Sequence, residues 1–327
     1  MTNTQTKRTK INLYTSLNEN NTLSKLSFEN DIYHNSEYAK LYGEVFEFSY
    51  SKDNDFLKIT AIKEPIKDSP YFDISTPYGY GGFLFKGDKE FLKESLEKLK
   101  EKCLSENIIA FFIRFHPFDA HLELYATMFH FFSKNRKIVV VDTQNPIGQI
   151  RQSYTSKLKS PIKKSKMNLK INHASLRDIA NIQTLYNNTM LKTQADDFYF
   201  FNADYFRELL TFKEVVMLKA DYNSRIIGFS SFFLCKDFSY YHLSASTGEM
   251  FANAALLDFF FEYANMQNSK FCILGSGLQN EDNLYFFKQK FSNLECDFYI
   301  GGLVLNQTIF ENFCKGYQND KFLKYRT

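Results

Sequence analysis

The order in which strand-like and helix-like segments follow one another constrains this 327-residue chain most. Apolar residues that alternate with polar ones predict strands, and apolar residues three or four apart predict helices. Residues 31–150 give the order strand, strand, helix, strand, helix, strand, and residues 171–327 repeat a similar mixture. The length also exceeds the ~150 residues of an average domain. We therefore predict an α+β protein made of two domains with one duplicated fold.

Local patterns place the individual elements of the first half. Val45–Tyr50 and Phe56–Ile62 alternate on either side of a polar turn, which predicts a hairpin. Asp88 is suited to be the N-cap of the helix that follows it. The apolar run Ile108–Ile113 predicts a buried strand, and Ala120–Phe131 predicts a helix.

The second half is divided by the same rules. The predicted strands are 168–171, 214–220, 225–234, 238–244, 270–274 and 298–305, and the predicted helices are 176–191, 203–210 and 253–266, with two more that begin near Asp282 and Gln307. Residues 1–30, rich in Asn, Ser and Thr, are predicted to be a tail and entry segment.

Positive charge is concentrated between Arg151 and Lys170. This segment contains seven basic residues and no acidic one, although the whole chain carries a net charge of only +3. We predict a basic linker helix at 151–170, distorted by Pro161. Such a surface suits a partner that carries phosphates, such as a nucleotide sugar, coenzyme A or tRNA. A solvated helix face without a ligand is the alternative.

Other features exclude whole classes of protein. The polar N-terminus does not resemble a signal peptide, and no run approaches the ~18 apolar residues of a membrane span, which predicts a cytoplasmic protein. The five cysteines form no CxxC pair, so neither a metal site nor a disulfide framework is expected. GxSxG, HExxH and P-loop motifs do not occur, which argues against those hydrolases, metalloproteases and nucleotidases.

A loop at residues 76–82 is the first candidate binding segment. It contains three glycines in four positions and two tyrosines, and such glycines allow the backbone to approach a ligand closely. Tyr78 and Tyr80 offer flat apolar faces with a hydroxyl group. We predict that Tyr78, Tyr80 and Gly81 contact substrate, and a wide turn is the alternative.

Gly275 and Gly277 are further candidates, because they follow a predicted strand and precede a predicted helix. Lys288 lies in that aromatic helix, where a buried ammonium group would be costly unless it reaches solvent, pairs with a carboxylate or faces a cleft. His242 is placed with the substrate-binding residues. Its reference pKa near neutrality would also suit a general base, although a lone strand histidine is more often structural.

Four sequence blocks resemble FemAB-like acyltransferases. They are 185–190, 198–200, 241–246 and 282–291. The last block is the most specific, because DNLYFFKQKF resembles that family's DxLYxFKxxF helix. The segment 159–165 resembles the family's RxxIRKA segment, although Lys159 stands in place of Arg and Ser165 in place of Ala.

The resemblance covers roughly residues 30–310. It implies two tandem GNAT domains at 31–150 and 171–327, with two mixed sheets flanked by helices. It also implies that Lys288 is the catalytic residue, which handles the donor or stabilises charge at the reacting carbonyl, and that Lys159 and Lys163 contact phosphates. Ser246 and Tyr285 lie in the matching blocks and are placed with the substrate-binding residues.

The function implied is transfer of an acyl or aminoacyl group to an amine of an amino-sugar or peptide-bearing envelope precursor. The donor is expected to be acyl-CoA or aminoacyl-tRNA, with no permanently bound cofactor. Residues 245–250 do not give the Q/RxxGxG pyrophosphate loop of ordinary GNAT enzymes, so both donors stay open. The alternatives are a tRNA-dependent transferase of the peptidoglycan-bridge type and a catalytically silent module that binds a nucleotide sugar. The expected partner is a small or nucleotide-linked acceptor, with tRNA as a further candidate and DNA not expected.

Overall fold

A computed structural model describes residues 9–277 and 281–326. Their contacts form two compact units. Unit 1 comprises 9–19, Leu26–Phe28 and Lys137–Cys296, and unit 2 comprises Asn20–Lys25, Glu29–Arg136 and 297–326. These units differ from the four consecutive segments predicted from the sequence (1–30, 31–150, 151–170 and 171–327), whose boundaries stay a prediction.

The strands are β1 (Ile11–Asn12), β2 (Glu44–Lys52), β3 (Asp55–Pro65), β4 (Phe72–Ser75), β5 (Leu84–Lys86), β6 (Ile108–Arg114), β7 (Phe131–Asp142), β8 (Lys170–His173), β9 (Val215–Tyr222), β10 (Arg225–Leu234), β11 (Phe238–Ser246), β12 (Phe271–Gly275) and β13 (Leu294–Val304). The α-helices are α1 (Leu13–Glu19), α2 (Ser36–Lys40), α3 (Lys89–Ser105), α4 (Leu122–Ala126), α5 (Ile147–Gln152), α6 (Ser156–Asn168), α7 (Ile179–Thr193), α8 (Ala203–Leu209), α9 (Ala252–Met266), α10 (Asn283–Lys288) and α11 (Gln307–Cys314).

Both units contain the same succession of strand pairings. In unit 2, β2, β3 and β4 are antiparallel neighbours, and the long helix α3 leads to β6, which is parallel to β4. In unit 1, β9, β10 and β11 are antiparallel neighbours, and α9 leads to β12, which is parallel to β11. A helical crossover between parallel neighbours therefore occurs once in each unit, as expected for a duplicated fold.

The last strand of each unit comes from the other half of the sequence. In unit 1, β12 pairs antiparallel with β7, for example Cys272 with Val141. In unit 2, β6 pairs antiparallel with β13, for example Phe112 with Gly302. Because of this exchange, boundaries drawn between consecutive segments cannot coincide with the compact units.

A buried carboxylate joins three helices of unit 1. Asp258 of α9 is fully buried and accepts hydrogen bonds from Arg151 Nε (2.9 Å), Arg151 Nη2 (3.0 Å), Tyr154 Oη (2.9 Å) and Lys166 Nζ (2.6 Å). Burial alone would raise the pKa of this carboxyl, but the hydrogen bonds from Arg151 and Lys166 outweigh it and hold the pKa below its ordinary value. Two of the seven basic residues in the linker therefore attach α5 and α6 to α9.

Two sequence predictions need correction. The helix predicted for 120–131 ends at Ala126, where the Thr127 hydroxyl bonds to the Leu124 carbonyl at 2.8 Å. Phe131 instead begins β7, whose aromatic and β-branched residues favour a strand. The basic segment is not one helix but α5 and α6, and Pro161 lies inside α6 without ending it. In the described ranges, no helix is long and apolar enough to cross a membrane.

The Asp258 cluster gives a stability prediction. Asp258→Asn should lower the free energy of unfolding by about 3 kcal/mol, because it removes one charge of a buried group of ions. The matched control is Glu262→Gln, since Glu262 also binds Arg151 but is 43% exposed, and it should cost less than about 1 kcal/mol. Urea unfolding at pH 7 measures both changes.

The lowered pKa of Asp258 predicts that its contribution to stability depends on pH. Because the pKa of Asp258 is lowered on folding, its contribution is complete above the unfolded pKa of about 3.9 and is lost as the pH falls through the folded value. The stability difference between wild type and Asp258→Asn should therefore shrink in acid. A difference that stays constant down to pH 3 would contradict the ionic role of Asp258.

Candidate functional site

The parallel strands β11 and β12 stop pairing before β11 ends. Their ladder joins three residue pairs, from Phe238–Phe271 to Tyr240–Ile273, and ends there although β11 continues to Ser246. His242 is the extra residue of a bulge in β11, because Tyr241 faces Phe232 and Leu243 faces Ser231 across the neighbouring strand. Ligands of mixed sheets gather where parallel strands part in this way.

Lys288 lies at this end of the β11–β12 pair. It is the last residue of α10 and is only 6% exposed. Its Nζ donates a hydrogen bond to the carbonyl of Ser276 at 2.5 Å and lies 5.4 Å from the centre of the Tyr241 ring. The amino group therefore sits between the end of β12 and a side chain of β11. A buried group of this kind is stabilised by a carbonyl dipole and an aromatic face.

The two predicted glycines hold this corner in place. Gly275 adopts φ +76°, which a residue with a side chain rarely tolerates. A side chain on Gly277 would overlap the carboxylate of Asp282. Asp282 caps α10 by accepting a hydrogen bond from the Tyr285 amide at 2.9 Å. The local structure therefore requires a glycine at both positions, and the two glycines fix the path of the chain from β12 to the helix that carries Lys288.

Tyr285 lies three residues before Lys288 on α10, but its hydroxyl group binds other side chains. The side chain is 1% exposed, and its hydroxyl donates to Glu295 Oε2 at 2.7 Å and accepts from Gln289 at 2.8 Å. Lys137 binds the other oxygen of Glu295 at 2.6 Å. Burial would raise the pKa of Glu295, but its hydrogen bonds from Lys137 and Tyr285 lower it. The hydroxyl of Tyr285 is thus bound within unit 1, and the contact with substrate predicted for this residue stays a prediction.

His242 packs away from Lys288. Its Nε2 lies 2.7 Å from the hydroxyl of Tyr205 on α8, and its ring centre is 4.4 Å from that of Phe233. Burial lowers its pKa to about 3, so the imidazole is neutral at pH 7 and a poor general base. Ser246, the last residue of β11, is paired across the ladder with Gly228.

The predicted phosphate contacts lie on the surface of α6. Lys159 and Lys163 are both exposed, and Lys159 Nζ bonds to the carbonyl of Gln152 at 3.1 Å. Arg151 and Lys166 are bound to Asp258, and the other basic residues of the segment are all exposed: Lys157, Lys159, Lys163, Lys164 and Lys170.

The tyrosine and glycine loop belongs to unit 2. Tyr78 and Tyr80 are half-buried rather than exposed. The Tyr80 ring contacts Tyr33 and Phe298 edge to face, at centroid distances of 6.0 and 5.2 Å, and the Tyr78 carbonyl accepts a hydrogen bond from Tyr38. These rings pack within their own unit, and the role predicted for them in substrate binding stays a prediction.

The glycine that this loop requires is not the one selected from the sequence. Gly79 has φ +131°, and a side chain there would overlap the ring of Tyr33. A side chain on Gly81 would meet its nearest atom, Thr76 Cβ, at 3.6 Å, which is ordinary contact. Gly81 is therefore not required by the backbone.

Two residues at the Lys288 corner were not selected from the sequence. Tyr241 directly precedes His242. Because neighbouring residues of a strand point to opposite faces, the selection of His242 gave no reason to select Tyr241. Ser276 stands between the two glycines that were selected. Among the residues described, no group of three or more His, Cys, Asp and Glu side chains is arranged to hold a metal ion.

Comparison with known proteins identifies the fold. No family model and no curated protein match the chain. The solved structure of FemX covers 90% of this chain and 97% of its own, with 13% identity and a TM-score of 0.68. The C-terminal domain of a putative lysylphosphatidylglycerol synthetase from Agrobacterium fabrum covers 87% and 90%, with 13% identity and a TM-score of 0.56.

A third structure, L-PGS from Bacillus licheniformis, covers 82% of this chain and 87% of its own, with 15% identity and a TM-score of 0.54. At these identities the likeness concerns the fold. It confirms the predicted α+β, duplicated GNAT fold and the resemblance to FemAB-like proteins.

The loop in unit 2 gives a matched pair of substitutions. Gly79→Ala should lower the free energy of unfolding by about 2 kcal/mol or more, because the added methyl group meets the Tyr33 ring at a strained φ. Gly81→Ala should change it by less than about 0.5 kcal/mol. Chemical denaturation of both variants measures this, and equal costs would refute the assignment of the close approach to Gly79.

Proposed function

We propose that this chain is an acyltransferase that moves an acyl or aminoacyl group from an activated donor to an amine. The observation that carries the proposal is the amino group of Lys288, buried where β11 and β12 part. The fold shared with FemX and with a putative lysylphosphatidylglycerol synthetase supports the same class.

The chemistry follows from charge. When an amine attacks the carbonyl carbon of the donor, negative charge develops on the carbonyl oxygen. An ammonium group fixed nearby in a site that excludes water stabilises this charge more than solvent would. The carbon–nitrogen bond forms, the bond to the leaving sulfur or oxygen breaks, and the proton lost by the amine ends on the leaving group. Lys288 supplies the ammonium group and is not consumed.

The acceptor is an amine of a small or nucleotide-linked molecule, such as an amino-sugar or peptide-bearing envelope precursor. Tyr78 and Tyr80 in unit 2 supply aromatic faces of the kind that pack against sugar rings. Lys159 and Lys163 supply exposed positive charge for phosphate groups.

The donor is acyl-CoA or aminoacyl-tRNA. The exposed lysines of α6 favour a large phosphate-bearing donor, because they place several positive charges on one helix. The loop before α9 also differs from a glycine-rich phosphate loop in its residues. Met250 and Phe251, which are not glycines, take positive φ values of 52° and 50° there.

Substitution of Lys288 tests the proposal. Lys288→Met keeps the unbranched stem and removes the charge, so it should lower kcat by about 100- to 1,000-fold. Hydroxylamine serves as the amine acceptor, and hydroxamate formation above the enzyme-free rate is measured with acetyl-CoA in one arm and total aminoacyl-tRNA in the other. The arm in which wild type is active identifies the donor class.

The matched control is Lys290→Ala, because Lys290 is two residues away and exposed. It should keep the wild-type rate within about twofold. If wild type forms hydroxamate and Lys288→Met forms it equally fast, the role of Lys288 is refuted. If wild type is inactive in both arms, the proposed function is refuted.

A further inference from the structure

Ser276 is the residue that joins β12 to the site around Lys288. Its carbonyl accepts the hydrogen bond from Lys288 at 2.5 Å. Its hydroxyl oxygen is buried, and within residues 9–277 and 281–326 it has no hydrogen-bond partner. The main chain of Ser276 thus holds the amino group, while its side chain carries a buried hydroxyl that has no partner in the described residues.

The position of this hydroxyl is set by its neighbours. Gly275 turns the chain at φ +76°, and Gly277 packs against the carboxylate of Asp282. Asp282 in turn caps α10, the helix that ends at Lys288. Ser276 and Lys288 are therefore parts of one short framework, and groups held in this way need little reorganisation when a ligand arrives.

A buried hydroxyl without a partner is unfavourable, because the group has lost its water and gained nothing in exchange. Native structures contain few such groups, and each calls for an explanation. The side chains of Thr155 and Asn253 also carry buried polar atoms without partners in the described residues, but they lie at the starts of α6 and α9. Ser276 differs from them because it binds the proposed catalytic amino group directly.

The charge near Ser276 indicates which kind of ligand atom would bind its hydroxyl group. The hydroxyl belongs to the residue whose carbonyl binds the ammonium group of Lys288, so the positive charge of Lys288 favours a ligand atom that carries negative charge in this region. A serine hydroxyl can donate one hydrogen bond to such an atom. The carbonyl oxygen of an acyl group gains negative charge as the amine attacks, and it fits both requirements.

We infer that the Ser276 hydroxyl donates a second hydrogen bond to the carbonyl oxygen of the acyl group during transfer. This inference rests on the proposed function and adds a residue to it. The amine nitrogen bonds to the carbonyl carbon, the bond to the leaving sulfur or oxygen breaks, and the proton of the amine passes to the leaving group. Ser276 keeps its own proton throughout.

Ser276→Ala separates this role from a structural one. It should lower kcat for hydroxamate formation about 100-fold, with KM changed less than about twofold. The urea unfolding midpoint should stay the same or rise, because the hydroxyl has no hydrogen bond within the described fold to lose. Ser276→Thr keeps a hydroxyl group and should recover at least about a tenth of the wild-type rate.

The control is Thr155→Val, which removes another buried hydroxyl of unit 1 that has no partner among the described residues, and it should leave kcat unchanged. A normal kcat for Ser276→Ala, beside a large loss for Lys288→Met, overturns this inference alone. A loss of stability and kcat together in Ser276→Ala assigns a structural role and also overturns it. Equal rates for Lys288→Met and wild type overturn the proposed role of Lys288 as well.

Discussion

The hydrogen bond from Lys288 to the carbonyl of Ser276 is the contact on which the proposed chemistry depends. It fixes an amino group from the end of α10 against the end of β12, with the ring of Tyr241 on the other side. A lysine in an aromatic helix would ordinarily extend toward water. Here the side chain is buried, so its charge acts where the dielectric is low and where electrostatic stabilisation is strongest.

The duplicated fold creates the place that this amino group occupies. Parallel strands cannot be joined by a tight turn, so α9 must cross between β11 and β12. Their ladder covers only three residue pairs, which leaves the carboxyl ends apart. Unit 2 repeats the crossover with α3 between β4 and β6, and each unit is completed by a strand from the other half of the chain. The fold alone does not determine the reaction, because one fold hosts many chemistries. The proposed reaction therefore rests on the residues around Lys288.

Local features were predictable from the sequence, and long-range pairings were not. Periodicity located most strands, and Asp88 caps α3 by accepting from the Phe91 amide as expected. The exchange of β7 and β13 could not be predicted, because alternation shows that a segment is a strand but not which strand it pairs with.

The candidate site was predictable to a similar extent. The resemblance of 282–291 to the family's DxLYxFKxxF helix indicated Lys288. Gly275 and Gly277 indicated the turn whose carbonyl binds Lys288. The structural role of Arg151 was hidden, because its partner Asp258 lies 107 residues away. Gly81 was selected in place of Gly79, because the sequence does not show which glycine takes the positive φ.

A structure of the full chain with a non-reactive acyl-donor analogue tests the central claim most directly. A coenzyme A thioether ketone and a non-hydrolysable aminoacyl-tRNA analogue are the two ligands to use. We expect the carbonyl oxygen of the bound analogue within hydrogen-bond distance of Lys288 Nζ, at the carboxyl ends of β11 and β12. An analogue bound elsewhere, with Lys288 still buried against Ser276 and remote from the carbonyl, would contradict the assignment.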